Sequence, residues 1–298
     1  MDFYRIKLLT KSSEHSDKDR EDCFKDHLFA IGWPVDGIVK DIKKYKELAE
    51  IKYCNGKELS GNINSSYKRM KDMKKGDYIW TQKDARTYCL GKVNSDIIFE
   101  DKYINRFGLT RECEKEWQEI DFNDVPGIVI SYFAGPGQVL VYCNSINECD
   151  DIKKYCEWLY NGKEGKLKIS DYTHLLHYDD LEDLLGLYLQ YGCYKNIKYY
   201  IHPSTNKLST KSIEYELRDE SGEKVGIQCK IGNSTVTSDS LKKFTDKGYK
   251  IFVTTRSNSS CIGENIINIP IGTLWEWAKL HQEILPQRIQ NYIKLTEG

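Results

Sequence analysis

The chain has 298 residues, of which 40% are hydrophobic and 30% charged, and a formal net charge of -1. That length accommodates two domains of ordinary size, and the near-zero charge excludes a general electrostatic pull toward nucleic acid, so any basic surface must be local. No apolar run reaches the ~18 residues of a membrane-spanning helix, and the start Met1-Asp2-Phe3-Tyr4-Arg5-Ile6 lacks the apolar core of a signal peptide, so a soluble, cytoplasmic protein without a membrane partner is expected.

In chain order, Phe3–Thr10 reads as a strand, and a charged stretch, Lys11–Asp26, follows it. His27–Pro34 is an apolar strand stopped by Gly32 and Pro34. Asp41–Cys54 predicts a helix, because Ile42, Tyr45, Leu48, Ala49 and Lys52 fall near one face, and Asn62–Met73 predicts a second. Lysines and arginines outnumber acids from Lys40 to Lys75, which describes either a solvated helix face or a local basic surface. The turn Lys75-Gly76-Asp77 launches Tyr78–Thr81, with Thr87–Val93 as its hairpin partner. Further strands are expected at Ile97–Glu100, Ile128–Tyr132 and Gln138–Tyr142. Short strands separated by turn signals predict a small barrel or sandwich.

Asp151–Leu159 is helical, and the polar stretch Asn161–Lys166 marks a boundary, giving domains at 1–150 and 172–298 with 151–171 between them. Asp179–Tyr191 predicts an amphipathic helix with Leu181, Leu184, Leu185, Tyr188 and Leu189 as its stripe. A hairpin follows, Ser209–Leu217 and Val225–Lys230 joined by the polar turn Arg218–Lys224. Ser238–Lys247 is a short helix, Tyr249–Thr255 and Ile266–Pro270 are strands, and Gly272–Thr296 is helical with a break at Pro286. Helix, hairpin, helix, strand, strand, helix is the order of an α/β nuclease core.

The chemistry concentrates on the hairpin. Alternation puts Ile213, Tyr215 and Leu217 on one face and Glu214 and Glu216 on the other; on the second strand Gln228 and Lys230 share a face opposite Cys229. A register centred near Ser221 sets Glu214 opposite Gln228, so a carboxylate, an amide carbonyl and an ammonium crowd one end. Mg²⁺ takes hard oxygen ligands and keeps several waters, so one or two carboxylates plus a carbonyl suffice. A second carboxylate is available from Glu182 or Asp183 on the preceding helix. Cys229 points away by parity and reads as a core thiol. The ten cysteines contain no Cys-x-x-Cys pair, and His174, His177 and His202 lack metal spacing, so free thiols and locally capping histidines are expected rather than zinc.

The segments Glu182–Gln190, Ser209–Glu214 and Gln228-Cys229-Lys230 followed by Gly232-Asn233 resemble the PD-(D/E)xK nuclease superfamily, and within it Mrr-like restriction endonucleases, where glutamine often replaces the second acid. The resemblance covers about 172–298 and implies a restriction-endonuclease-like α/β domain, a mixed central sheet flanked by helices, cutting DNA with Mg²⁺ or Mn²⁺. It carries the helix acid onto Glu182, the first strand acid onto Glu214, the variant acid onto Gln228 and the lysine onto Lys230; Glu182, Glu214 and Gln228 would hold the metal. Glu216, on the face of Glu214, is the alternative acid.

In the first half, Phe3–Leu9, Ala30-Ile31-Gly32-Trp33, Met73–Trp80 and Tyr88–Val93 resemble the EVE and wider PUA-like superfamily, an α+β fold built on a small barrel that takes an extruded base. Trp33, Trp80 and Tyr88 are the candidate stacking faces, and Asp36 and Asp77 the candidate edge readers. Together the halves imply a restriction or defence endonuclease whose base reader selects DNA, a homodimer being the form suited to double-strand cleavage. The alternative is a nucleic-acid-binding or RNA-processing protein with a degenerate nuclease fold, since Gln228 removes one charge from the metal site.

Overall fold

The computed structural model describes residues 2–8, 17–135, 138–143, 149–201, 213–230, 236–255, 261 and 263–297. The chain divides into two units, Met1–Ser170 and Asp171–Gly298. Both are mixed α/β, and no described helix is long and apolar enough to cross a membrane.

The first unit runs β1 (Phe3–Ile6), α1 (Asp17–Lys25), β2 (Leu28–Ala30), α2 (Ile42–Cys54), α3 (Gly61–Asp72), β3 (Tyr78–Gln82), β4 (Thr87–Lys92), α4 (Asp101–Phe107), β5 (Thr110–Glu112), β6 (Gln118–Asp121), α5 (Gly127–Ala134), β7 (Leu140–Tyr142) and α6 (Cys149–Tyr160). Its main sheet has the order β6-β4-β3-β1-β7, with β1 and β3 parallel and the other pairs antiparallel; β2 pairs with β5 in a separate ribbon. Among the described residues the strands do not close: β6 and β7 stand at the two edges, so the small barrel expected from the sequence is an open five-stranded sheet beside a two-stranded ribbon.

Both faces of that sheet are buried. Tyr4, Ile6, Ile79 and Cys89 face a core shared with α2, α3, α4 and the ribbon. Tyr78 and Tyr88 face the opposite way, where Tyr160 of α6 and Phe133 of α5 meet them at ring-centroid distances of 5.7 and 5.2 Å. Local chemistry sets the ends. Asp41 caps α2 by accepting from Lys44 N at 2.8 Å, and Asn55 ends it in the left-handed conformation. Asp84 accepts from the N–H groups of Arg86 and Thr87 and closes the β3–β4 turn.

Two expected strands fare differently. Ile128–Tyr132 lies inside helix α5, which starts behind Pro126, and Ile97–Glu100 makes one bridge, Ile98 to Thr110, without becoming a strand. Part of the charged stretch Lys11–Asp26 is helix α1, with Asp17 and Asp19 in its first turn and Lys25 in its last, the order the helix dipole favours.

The second unit runs α7 (Tyr178–Gln190), β8 (Tyr200–Ile201), β9 (Tyr215–Arg218), β10 (Lys224–Lys230), α8 (Ser238–Thr245), β11 (Lys250–Thr255), β12 (Ile266–Asn268), α9 (Ile271–Lys279) and α10 (Gln287–Glu297). One sheet has the order β12-β11-β10-β9-β8. β8, β9 and β10 are antiparallel in sequence, while β10, β11 and β12 run parallel. The β9–β10 ladder pairs Arg218 with Lys224 and Tyr215 with Ile227, symmetric about Ser221, the register read from the alternation. The Ser209–Ser212 part of the first expected strand, His202 and Gly232-Asn233 lie outside the described residues. The break at Pro286 separates α9 from α10.

α7 is placed by its glycine and its cap. A Cβ on Gly186 would sit 4.0 Å from Ile227 Cδ1, so the helix lies directly on β10. Its N-terminus is closed by His177, whose Nδ1 accepts from Asp179 N, and by Asp180, whose Oδ2 accepts from His177 N at 2.7 Å. The buried Arg288 of α10 reaches Asp180 at 3.4 Å. Arg288→Met leaves the Asp180 carboxylate buried without its cation, and the expected cost is about 3–5 kcal/mol of unfolding free energy. Chemical denaturation checks this; a loss under about 1 kcal/mol would make the pair a minor contact.

Candidate active site

Residues four apart share a helix face, so the approach of Gly186 to Ile227 carries Glu182 toward the end of β10. Glu182 is buried to 9% exposure, and its carboxyl is pushed up to about 8, first by burial and next by the charge of Glu214, with Asp179 and Asp183 adding to the rise and Lys230 opposing it. The helix acid and the hairpin therefore share one electrostatic neighbourhood.

On the hairpin, Gln228 Nε2 donates to Glu214 Oε1 at 2.8 Å, and Lys230 Nζ lies 3.7 Å from the same oxygen. Both contacts converge on Oε1, so Glu214 Oε2 is the oxygen left for a cation or a water among the described contacts. Gln228 Nε2 also donates to the Cys229 carbonyl at 3.2 Å, which leaves the amide oxygen as its other polar group. The Lys230 side chain is 41% exposed, so its ammonium can meet a ligand from solvent.

A local irregularity aims these groups. Glu214 N bonds Ile227 O at 2.9 Å, although Ile227 pairs with Tyr215. Two residues of one strand thus oppose one of the other, the arrangement of a β-bulge, which re-aims side chains. Tyr215 keeps its place in the ladder opposite Ile227, on the face that α7 covers, and brings its hydroxyl to 3.5 Å from Asp183 Oδ1. Burial is the first cause holding the Asp183 carboxyl above its ordinary range, and Asp180 and Asp179 add to it. This Tyr215–Asp183 pair was not visible in the period-2 pattern, because Asp183 comes from α7, 32 residues away.

Glu216 belongs elsewhere. It is buried, accepts from Tyr249 Oη at 2.9 Å and pairs with Arg218 Nη2 at 3.0 Å. The structure thus separates the two strand acids, with Glu214 beside Gln228 and Lys230 and Glu216 tied to Tyr249, the residue before β11.

The donor set fits a hard divalent cation. Glu214 and Gln228 supply a carboxylate and an amide oxygen, and the charge of Glu214 helps to raise the proton affinity of Glu182, a repulsion that a cation relieves. No group of three or more His, Cys, Asp or Glu side chains among the described residues is arranged to hold a metal; two carboxylates, a carbonyl and retained waters are the smaller set that Mg²⁺ accepts.

Cys229 is fully buried, and burial pushes its thiol well above the ordinary value. It is packing, not a nucleophile. Cys229→Ser puts a hydroxyl into that apolar site, and a loss of about 1–3 kcal/mol with a near-parent cleavage rate is expected. Lost cleavage with an unchanged melting curve would assign the thiol a chemical role.

The five candidate base-reading residues of the first unit are not gathered in one place. Trp33 is half-buried against the core, with its carbonyl accepting from Tyr45 Oη at 2.7 Å. Asp36 is exposed and lies 3.3 Å from Lys52 Nζ. Asp77 is buried and accepts from Asp2 N at 2.9 Å and Lys74 N at 2.8 Å, which makes it the cap of its own turn. Trp80 is fully buried, and Tyr88 packs on Phe122 and Phe133. In the Lys40–Lys75 region, Lys44, Lys46, Lys52 and Lys75 pair with Glu47, Glu50, Asp36 and Asp96. Lys68 and Lys71 of α3 enter no described ion pair.

Compared with known proteins, the chain matches no family model, no curated protein and no solved structure.

Proposed function

We propose that the second unit is a Mg²⁺-dependent endodeoxyribonuclease and that the first unit selects the DNA it cuts, the pair acting in restriction or defence. One observation carries this reading: Glu214, Gln228 and Lys230 meet at one end of the β9–β10 hairpin, and the charges of Glu214 and Lys230 act on Glu182, whose carboxyl is pushed up to about 8, first by burial. The order helix, antiparallel strands, helix, parallel strand around that end supports it, as does the resemblance to Mrr-like PD-(D/E)xK nucleases carried by the same residues.

Glu182, Glu214 and the Gln228 carbonyl would hold the metal. Bound there, Mg²⁺ supplies charge neutralisation on the phosphate and a water of lowered pKa. The chain's own groups do the rest. Lys230 offers a mobile ammonium to a phosphate oxygen or to the attacking water. Glu214 keeps Oε1 on Gln228 and Lys230, and so presents Oε2 in a fixed direction. Glu182, its carboxyl pushed up to about 8 by burial and by Glu214, would give up its proton to hold a cation. Lys68, Lys71 and their neighbours on α3 offer phosphate contacts that hold a duplex without reading it.

Gln228 also supports a second reading, a binding protein or RNA-processing factor with a degenerate site, because a neutral amide stands where a second strand acid would add charge. Incubating the protein with unmodified, methylated and hydroxymethylated duplex DNA and with RNA, each with and without Mg²⁺, separates the two. Cleavage of DNA only with Mg²⁺ is expected; binding without cleavage, or cleavage of RNA alone, favours the second reading. Within the same assay Glu214→Ala is expected to be inactive and Glu216→Ala active, with the stability loss of a broken Tyr249–Arg218 network. The opposite pattern would move the metal ligand to Glu216.

A further inference from the structure

We propose that the first unit carries a site for a phosphate monoester, a dianion seated among Arg5, Lys7 and Arg69 at the sheet edge formed by β7. The inference goes beyond the nuclease reading of the second unit and does not depend on it.

Three cations gather around Gln138. Arg5 Nη1 donates to its main-chain carbonyl at 2.6 Å, and Arg69 Nη1 donates to its side-chain oxygen at 3.0 Å and to the Leu140 carbonyl. Lys7 N bonds the carbonyl of Val139, the next residue, at 2.8 Å, and Lys7 Nζ reaches the Gly135 carbonyl at 3.1 Å. Arg5 and Lys7 stand two apart along β1 and its continuation, so both leave the same face. Arg69 arrives from the last turn of α3.

None of the three meets a carboxylate among the described residues; each bonds neutral oxygens there. Arg5 is 2% exposed. The other buried arginines each face an acid, Arg111 at 3.8 Å from Asp96 and Arg288 at 3.4 Å from Asp180. A buried charge is costly unless an opposite charge meets it, and a guanidinium does not shed its proton. Arg5 has only the Gln138 carbonyl and the ring of Phe133, whose centroid lies 5.4 Å from Cζ, as described compensation. The cations also act on one another. Lys7 is held below the ordinary lysine range, first by burial and next by the charge of Arg5. Arg5 is lowered first by burial, with Arg69 adding to the fall and Cys143 opposing it. Like charges held together repel, and an anion among them replaces that repulsion with attraction.

Lys7 and Arg69 are half-buried and Gln138 is exposed, so an ion reaches them from solvent while Arg5 supplies its charge from beneath. Arg69 uses Nη1 on its two protein acceptors, which leaves Nε and Nη2, an edge suited to two oxygens of one phosphate. Charge selects the class of ligand. A carboxylate or a phosphodiester brings one negative charge to three positive ones. A phosphate monoester brings nearly two at neutral pH, on three acceptor oxygens. That group is common to a free nucleotide and to a 5′-phosphorylated nucleic-acid end.

The test is isothermal titration of the full chain without divalent metal, at fixed ionic strength. The probes are inorganic phosphate, a nucleoside 5′-monophosphate, the matching nucleoside, acetate, and short duplexes ending in 5′-phosphate or 5′-hydroxyl. Phosphate and the monophosphate are expected to bind, the nucleoside and acetate not. Arg69→Gln and Lys7→Gln, each at a partly exposed position, are expected to weaken binding about tenfold, the size of one lost charge-assisted hydrogen bond. Arg5→Met, which removes the buried charge, is expected to abolish it. Circular dichroism checks that each variant is folded. A preference for the 5′-phosphorylated duplex assigns the site to a nucleic-acid end; monophosphate binding without that preference assigns it to a free nucleotide. A parent that binds neither phosphate nor the monophosphate overturns the proposal. So does binding that persists at the parent's strength in folded Arg69→Gln and Lys7→Gln proteins, which would leave the three cations as ties for the strand edge.

Discussion

Lys230→Ala is expected to lower Mg²⁺-dependent cleavage by about 10²–10³-fold, the effect of removing one stabilising donor from a reacting phosphate, while the fold survives. Its ammonium lies 3.7 Å from Glu214 Oε1 and its side chain is 41% exposed. Partly exposed ion pairs contribute at most about 1 kcal/mol, so melting should barely change. Single-turnover cleavage compared with duplex affinity gives the second readout: affinity near the parent's with a lost rate is the signature of a group that acts on the reacting phosphate. A Lys230→Ala protein that cuts at the parent's rate removes Lys230 from the chemistry and, with it, the best reason to place the active site on this hairpin.

The second large effect concerns protons and Glu182. Its carboxyl is pushed from 4.5 to about 8, first by burial and then by Glu214. The folded state therefore binds this proton more tightly than the unfolded chain. Stability from this group is full below about 4.5 and is lost as pH rises toward 8, at up to about 1.4 kcal/mol per pH unit. The metal-free protein is expected to melt at a progressively lower temperature between pH 6 and 8, with Mg²⁺ reversing the loss most strongly at the alkaline end, where no proton has to leave. Glu182→Gln is a neutral isostere of the protonated acid. It should abolish the slope, melt above the parent at pH 8 without metal, and lose both Mg²⁺ stabilisation and cleavage. A parent whose melting temperature is flat over that range, or a Glu182→Gln protein still stabilised by Mg²⁺, would remove Glu182 from the metal site.

The hairpin was readable because its evidence is local. Alternation on two strands and one glycine-containing turn, at Gly222, are enough to set a register, and the structure pairs Tyr215 with Ile227 as that register requires. α7 was readable from its leucine stripe. What escaped depends on tertiary surroundings. Ile128-Val129-Ile130 is a short β-branched run, which periodicity cannot assign, and the chain coils it into α5 behind Pro126. Trp80 was a candidate stacking face through the resemblance to PUA-like domains, but it is fully buried in a sheet covered on both sides. The bulge at Glu214 and the pairing of Glu216 with Tyr249 involve partners distant in sequence, as do the burial and charge that raise Glu182.

The hairpin symmetric about Ser221 also has a history in time. Glu214 and Gln228 are only fourteen residues apart, so a loop of that length closes and a hairpin forms within microseconds. Glu182 arrives by a longer route, because its helix must first be capped by His177 and Asp180, docked over Ile227 through Gly186 and pinned by Arg288. A chain leaving the ribosome therefore carries the strand-borne half of the centre before the helix acid is seated. On the proposed reading, an immature molecule would hold one carboxylate and one lysine at the hairpin end, too little charge to retain a divalent ion, until α10 and its Arg288 have been made.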